Sequence, residues 1–220
     1  MSALTVANIK NRVKRKFGDE SGVQLTNDDI VSWINDAQRK IAGRNDSVLE
    51  KTAFANSLAG IQEYAFPADM LKFRFMSYKG TGDIGYDIMR GMTLNEFNLY
   101  IDTWDTNSSV QSIPCLYAIH AGKFLVYPIP QDSITNAFKL YYTRTPIDVV
   151  NDSDVIDLPM LYHDTVIDMV LQDAYEMDED WNAANAKSAQ TNASLDRLKN
   201  SDEWTKKDTY PTITVRLEDL

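Results

Sequence analysis

Apolar residues return every three or four positions along the first stretch of the chain. Val6, Ile9, Val13 and Phe17 mark one stripe of a helix over 5–17. Thr5 stands where an N-cap accepts a backbone N–H, and Gly18 where a helix stops in a left-handed turn. Ile30, Trp33, Ile34, Ala37 and Ile41 repeat the spacing up to Gly43, behind Thr26 and Asp29 at capping-box separation. The polar, Gly-containing stretch 18–24 joins the two as a helical hairpin.

From Val48 the period falls to two. Residues 61–66 alternate apolar and polar and end at Pro67, as a half-buried strand does, and 72–75 repeat the alternation. Thr93 and Glu96 predict a capped helix over 94–104, carrying Leu94, Phe97, Tyr100 or Ile101, and Trp104. Strands follow at 116–119, 123–127 and 138–143, with a tight turn at Ala121 and Gly122 and a stop at Pro128.

Asp157 is placed to cap, and Pro159 to open, a helix reaching about Met177, with Ile167, Leu171 and Ala174 on one face beside Tyr162, Val166 and Val170. On another face Asp164, Asp168, Gln172 and Glu176 recur at spacings of four, a repulsion that packing must outweigh. An alanine- and asparagine-rich helix over 181–198 presents Ala183, Ala186, Ala189 or Gln190, Ala193 and Leu198, a stripe thin enough to need a neighbour. Residues 201–220 show no helical period. Within them 212–217 alternates as a short strand without a partner nearby in sequence, so it is frayed or joins another sheet edge, on this chain or another.

These elements predict an α+β fold: a helical bundle from the N- and C-terminal helices, a central β-rich, sandwich- or barrel-like insertion, and an extended C-terminal tail. The expected divisions are a helical hairpin over 1–46, a β-rich insertion with one short helix over 47–145, helices completing the bundle over 146–200, and an arm over 201–220.

Composition narrows the function. Of 220 residues, 44% are hydrophobic and 25% charged, as in a globular chain with a sizeable core. No apolar run reaches about 18 residues, which argues against a membrane-spanning helix, and the N-terminus lacks the pattern of a secretory signal. A single cysteine, Cys115, excludes an internal disulfide framework and points to a reducing compartment; with only two histidines, zinc would find few ligands. A net charge of -10 opposes a grip on nucleic acid. Lys10, Arg12, Lys14, Arg15 and Lys16 are the exception, and they also oppose the negative end of the first helix dipole. Residues 148–180 hold eleven acidic side chains and no Lys or Arg, so the chain is electrostatically lopsided in a way that suits head-to-tail or ring contacts.

Searching for chemistry adds little. There is no Walker loop or Gly-x-Ser-x-Gly elbow, and Gly80, Gly82 and Gly85 read as a mobile hairpin tip. Cys115 is expected as a small buried apolar residue, and His163 on a helix surface. Asp152, Asp154 and Asp157 lack the turn glycine and distal Glu of a calcium loop, leaving caps and solvated loop positions. Phe73, Phe75, Tyr141 and Tyr142 fit core and interface packing, since strand alternation splits neighbours between faces. No catalytic, metal or cofactor site emerges, and no enzyme.

The ordered segments carry a resemblance. Residues 28–42, with Asn35, Ala37, Gln38, Ile41 and Ala42 in the pattern Asn-x-Ala-Gln-x-x-Ile-Ala, resemble the early helix of tailed-bacteriophage head-to-tail adaptor (connector) proteins. Residues 60–69, including Tyr64, Phe66, Pro67 and Asp69, are similar to their strand-to-turn signature, and 127–130, 140–142 and 158–162 follow in the same order. The resemblance spans about 26–180. It implies a virion structural protein at the head–tail junction, assembled in the host cytoplasm, forming a ring commonly of twelve copies under the portal. Such a ring extends the DNA channel for ejection, lets genomic DNA pass without sequence-specific binding, and docks tail, nozzle or stopper proteins, with no membrane or cofactor. On that reading Asp164, Asp168 and Glu176 are expected on an acidic channel face, Ile213, Val215 and Leu217 on a portal-binding arm, and Lys10, Arg12, Lys14, Arg15 and Lys16 on a basic contact helix. The alternatives are a tail-completion or neck protein one level lower, a nucleic-acid-binding regulator using the basic helix, and a small hydrolase built around His163 or Cys115.

Overall fold

The computed structural model describes residues 4–45, 48–100 and 110–206. The fold is mixed α+β. Its helices are α1 (Val6–Phe17), α2 (Asn27–Arg44), α3 (Leu94–Tyr100), α4 (His163–Met177) and α5 (Trp181–Lys206). Two compact units form, one from the described residues of Met1–Ser47 and Pro146–Leu220, the other from those of Val48–Thr145.

In the helical unit, local chemistry sets the first turns. Thr5 Oγ1 accepts the Asn8 N–H, and Gly18, at φ +94°, closes α1 by donating its N–H to the Lys14 carbonyl. The following loop is built on Asp19, whose carboxylate accepts the N–H groups of Val23, Gln24 and Leu25 at 3.0, 2.9 and 2.8 Å. Thr26 caps α2 by accepting the Asp29 N–H at 3.2 Å, while the shorter Asp29 carboxylate takes the Thr26 hydroxyl rather than its backbone N–H. Gly43 does not end α2 as expected. The helix runs on to Arg44, and Asn45 turns extended there.

Helix α4 is central, with α1, α2 and α5 all packed against it. That accounts for its broad apolar face, in which Val166, Ile167, Met169, Val170, Leu171 and Ala174 are buried. Asp157 does not cap it. A 3-10 turn, Met160–Tyr162, leads into α4 from Pro159, and the Asp157 carboxylate instead accepts the Ile147 N–H at 2.8 Å. Helix α5 extends to Lys206 and buries Ala184, Thr191 and Leu195, leaving Ala186, Ala189 and Ala193 exposed. Its contact stripe is thus offset from the expected one. The small polar and apolar residues alternate all round the helix, so period alone does not fix its phase.

The second unit contains β1 (Glu50–Ser57), β2 (Glu63–Ala65), β3 (Met70–Tyr78), β4 (Asp87–Ile88), β5 (Arg90–Met92), β6 (Gln111–Ser112), β7 (Leu116–His120), β8 (Lys123–Tyr127), β9 (Ile129–Pro130) and β10 (Ile134–Arg144). One antiparallel sheet has the order β1-β10-β3-β4; a second has β2-β8-β7-β5, with β5 parallel to β7; β6 and β9 form a short parallel pair. The sheets do not close into a barrel. Met76, Tyr78, Phe138, Leu140 and Tyr142 of the first sheet share a core with Tyr117, Phe124 and Val126 of the second. Rings order that core: Tyr64 stacks on Phe124 at 5.3 Å, and Phe124 meets Phe138 edge-on at 5.4 Å. Ala121 and Gly122, both at positive φ, make the two-residue turn between β7 and β8. Thr93 and Glu96 form a reciprocal capping box on α3, and Phe97 packs with Ala118 and Leu125. Ile101 and Trp104 lie outside the described residues.

Candidate functional site

Three of the five cations of α1 face the acidic segment of the same unit. Lys10 Nζ lies 2.6 Å from Asp152 Oδ1 with its side chain nearly buried, Arg12 3.8 Å from Asp164, and Lys16 3.7 Å from Asp168. Lys14 donates to Asn27 Oδ1 at 2.9 Å, and Arg15 is exposed. The two ends of the expected charge asymmetry therefore lie against each other. The Arg12 and Lys16 pairs, with cations more than half exposed, add little stability.

The acidic series on α4 is not one surface. Asp164 is 92% exposed and Glu176 is exposed, but Asp168 is only 13% exposed. Asp168 sits between α1, α4 and α5, with Lys187 Nζ at 2.9 Å in addition to Lys16. Glu176 accepts the Gln172 amide at 2.8 Å. Five residues further along the same helix, Asp173 is largely buried near Lys40, and desolvation raises its pKa. Ion pairs as well as packing relieve the repulsion along this helix.

Two amides on the apolar face of α2 form a clasp. Asn35 Oδ1 accepts the Val149 N–H at 2.9 Å and Asn35 Nδ2 donates to the Val149 carbonyl at 3.0 Å, the exchange a paired strand would make. Gln38, fully buried, accepts the Asp157 N–H at 2.6 Å and donates to Asn35 Oδ1 at 3.3 Å. Asn45 donates to the Tyr162 hydroxyl, and Arg39 holds both oxygens of Asp148. Together they fasten the segment that leads into α4. The sequence reading carried Asn35 and Gln38 as motif letters only. The available signal was two amides three residues apart among Ile34, Ala37 and Ile41.

In the β unit Asp69 has a comparable role. Its carboxylate meets Lys51 Nζ at 2.7 Å and accepts the Tyr142 hydroxyl at 2.8 Å, and its carbonyl accepts the Thr145 N–H. The hydrogen bond from Lys51, ahead of that from Tyr142, lowers its pKa. A β-bulge at Arg74, where Tyr141 pairs with Phe75 but Tyr142 with Phe73, puts Phe73 and Tyr142 on the core side and Phe75 and Tyr141 on the outer face, where their rings stack at 4.3 Å. Tyr86 leans on Phe54 at 6.0 Å, and Lys139 Nζ lies 4.9 Å from the Tyr141 ring. Phe54 is 52% and Ile88 76% exposed, giving this sheet an apolar outer side.

Two expectations are corrected. His163 is buried, its Nε2 3.1 Å from the Leu158 carbonyl, because the 3-10 turn folds the ring back onto the chain before α4. Cys115 is exposed, while its neighbour Pro114 is buried. Asp154 accepts the N–H groups of Val150 and Asn151, an ordinary loop cap. Among the described residues no group of three or more His, Cys, Asp or Glu is placed to hold a metal ion, and no helix is long and apolar enough to cross a membrane. Ile213, Val215 and Leu217 lie outside the described residues.

A family model described as SU10 adaptor protein matches residues 4–216. The chain belongs to that phage adaptor family. No curated protein matches it. In this adaptor Asn35, Gln38 and Asp69, which carried the resemblance, hold backbone segments in place. The signature is one of fold.

Proposed function

We propose that this adaptor is a structural, non-enzymatic protein of the virion head–tail junction, assembling as a closed ring of twelve copies against the portal, extending the DNA channel and docking tail components. The family match over 4–216 carries the reading. Two features support it. The polar residues of the adaptor pattern are engaged in internal hydrogen bonds, as a scaffold requires. Exposed Phe54 and Ile88, with Tyr86 against Phe54, gather on the outer side of one sheet, the kind of apolar face that a partner covers.

DNA passes through such a ring best when it is not gripped, and a subunit of net charge -10 repels it. The channel contribution of α4 falls to Asp164, 92% exposed beside Arg12, and to exposed Glu176, because Asp168 is nearly buried between Lys16 and Lys187. A regulator gripping DNA through α1 is less well supported, since Lys10, Arg12 and Lys16 face carboxylates within the subunit. Imaging the purified chain with its portal tests the proposal. Rings seated on the portal support it, and a chain that leaves the portal bare contradicts it.

A further inference from the structure

Strand β1 is the edge of its sheet. It pairs with β10 on one side, and among the described residues no strand lies on the other. An antiparallel edge strand turns alternate backbone N–H and C=O groups outward, a template for another strand. Natural edges are commonly blunted by charge, proline or a bulge. Here the charged positions are Glu50 and Lys51, already bound to Arg74 and Asp69, and the bulge falls between Ala55 and Ser57, beyond a regular run of six residues.

The core also ends unfinished at that edge. Ala53 and Ala55 reach the shared aromatic core but are small and only half-buried, whereas Phe138 and Leu140 beside them on β10 are buried. A strand laid along β1 would complete the core if it brought branched apolar side chains to the inner face and polar ones to the outer. Residues 212–217 have that pattern over the same six-residue length: Ile213, Val215 and Leu217 alternate with Thr212, Thr214 and Arg216. Five residues, spanning at most about 17 Å, separate them from the end of α5.

We infer that residues 212–217 of one copy add as a strand to the β1 edge of a neighbouring copy, with Ile213, Val215 and Leu217 covering Ala53 and Ala55. The inference rests on the ring reading, because it needs an adjacent subunit. It gives the arm a receiver inside the ring in place of the portal.

The test uses full-length protein carrying Cys115→Ser. One population carries Thr52→Cys, on the outer face of β1, and the other carries Thr212→Cys, Thr214→Cys or Arg216→Cys, the outer-face positions of the added strand, one at a time. The populations are mixed and assembled with portal. The expected result is a mixed disulfide dimer, within intact rings, for one register and not for its neighbours. In parallel, Val215→Asp should speed amide exchange in β1 of assembled rings about tenfold or more, with exchange in α4 unchanged. Intact rings with no mixed disulfide in any register and unaltered β1 exchange overturn the inference and leave the ring reading standing. A chain that forms no ring on the portal overturns both.

Discussion

Gln38 has no exposed surface, and both ends of its amide are in use. Gln38→Ala removes the acceptor for the Asp157 N–H and the donor to Asn35, at a cost of about 1–3 kcal/mol. Thermal unfolding followed by helical circular dichroism should show a drop of several degrees, at roughly 2–4 °C per kcal/mol for a chain of this size; no measurable drop would remove the clasp from the account. Asp19 gives a pH signature. Its pKa falls from 3.8 to about 2, chiefly through the Leu25 N–H and also those of Val23 and Gln24, against an opposing desolvation. A depressed carboxyl contributes stability that is present above its unfolded pKa and is lost as pH falls through the folded value. The stability gap between the wild type and Asp19→Asn should therefore be widest above pH about 4 and shrink as pH falls toward 2. An equal gap at pH 5 and pH 2 would refute the role given to the carboxylate.

At the scale of elements, capping was readable and burial was less so. Thr5, Gly18, Thr26, Thr93 and Glu96 act through neighbours within a few residues, so sequence spacing exposes them. Asp157, His163 and Cys115 answer to partners or solvent that the tertiary fold supplies, and the sequence carries no record of Ile147 lying beside Asp157. The phase of α5 was hidden for a different reason: alanine, asparagine and serine surround the helix, so several faces look equally suited to contact. The packed face now makes a discriminating prediction. Leu195→Ala should destabilise the chain by about 2–5 kcal/mol, while Ala193→Lys on the exposed side should stay within about 0.5 kcal/mol. Comparable losses from both, in denaturant unfolding, would mean that the α5 contact face is wrongly assigned. Of the candidate site residues, the basic and acidic sets were visible in the sequence, but not that Lys10 would reach Asp152 in a turn, or Lys16 and Lys187 reach Asp168 from neighbouring helices.

For the whole molecule, that internal pairing changes what the net charge means. Lys10, Arg12 and Lys16 each lie near a carboxylate, so the basic cluster is not a free cationic patch, and the chain keeps its net charge of -10. What is left for partners is apolar: the outer side of the β1 sheet and scattered large side chains of the helical unit. The family's ordered motifs were legible because they specify the fold, and the surfaces that meet other proteins were not, because their residues have no local pattern. The most direct measurement is a symmetric electron-microscopy reconstruction of the full-length chain bound to its portal. The account predicts a closed ring of twelve copies coaxial with the portal; a monodisperse monomer alongside bare portals would contradict it.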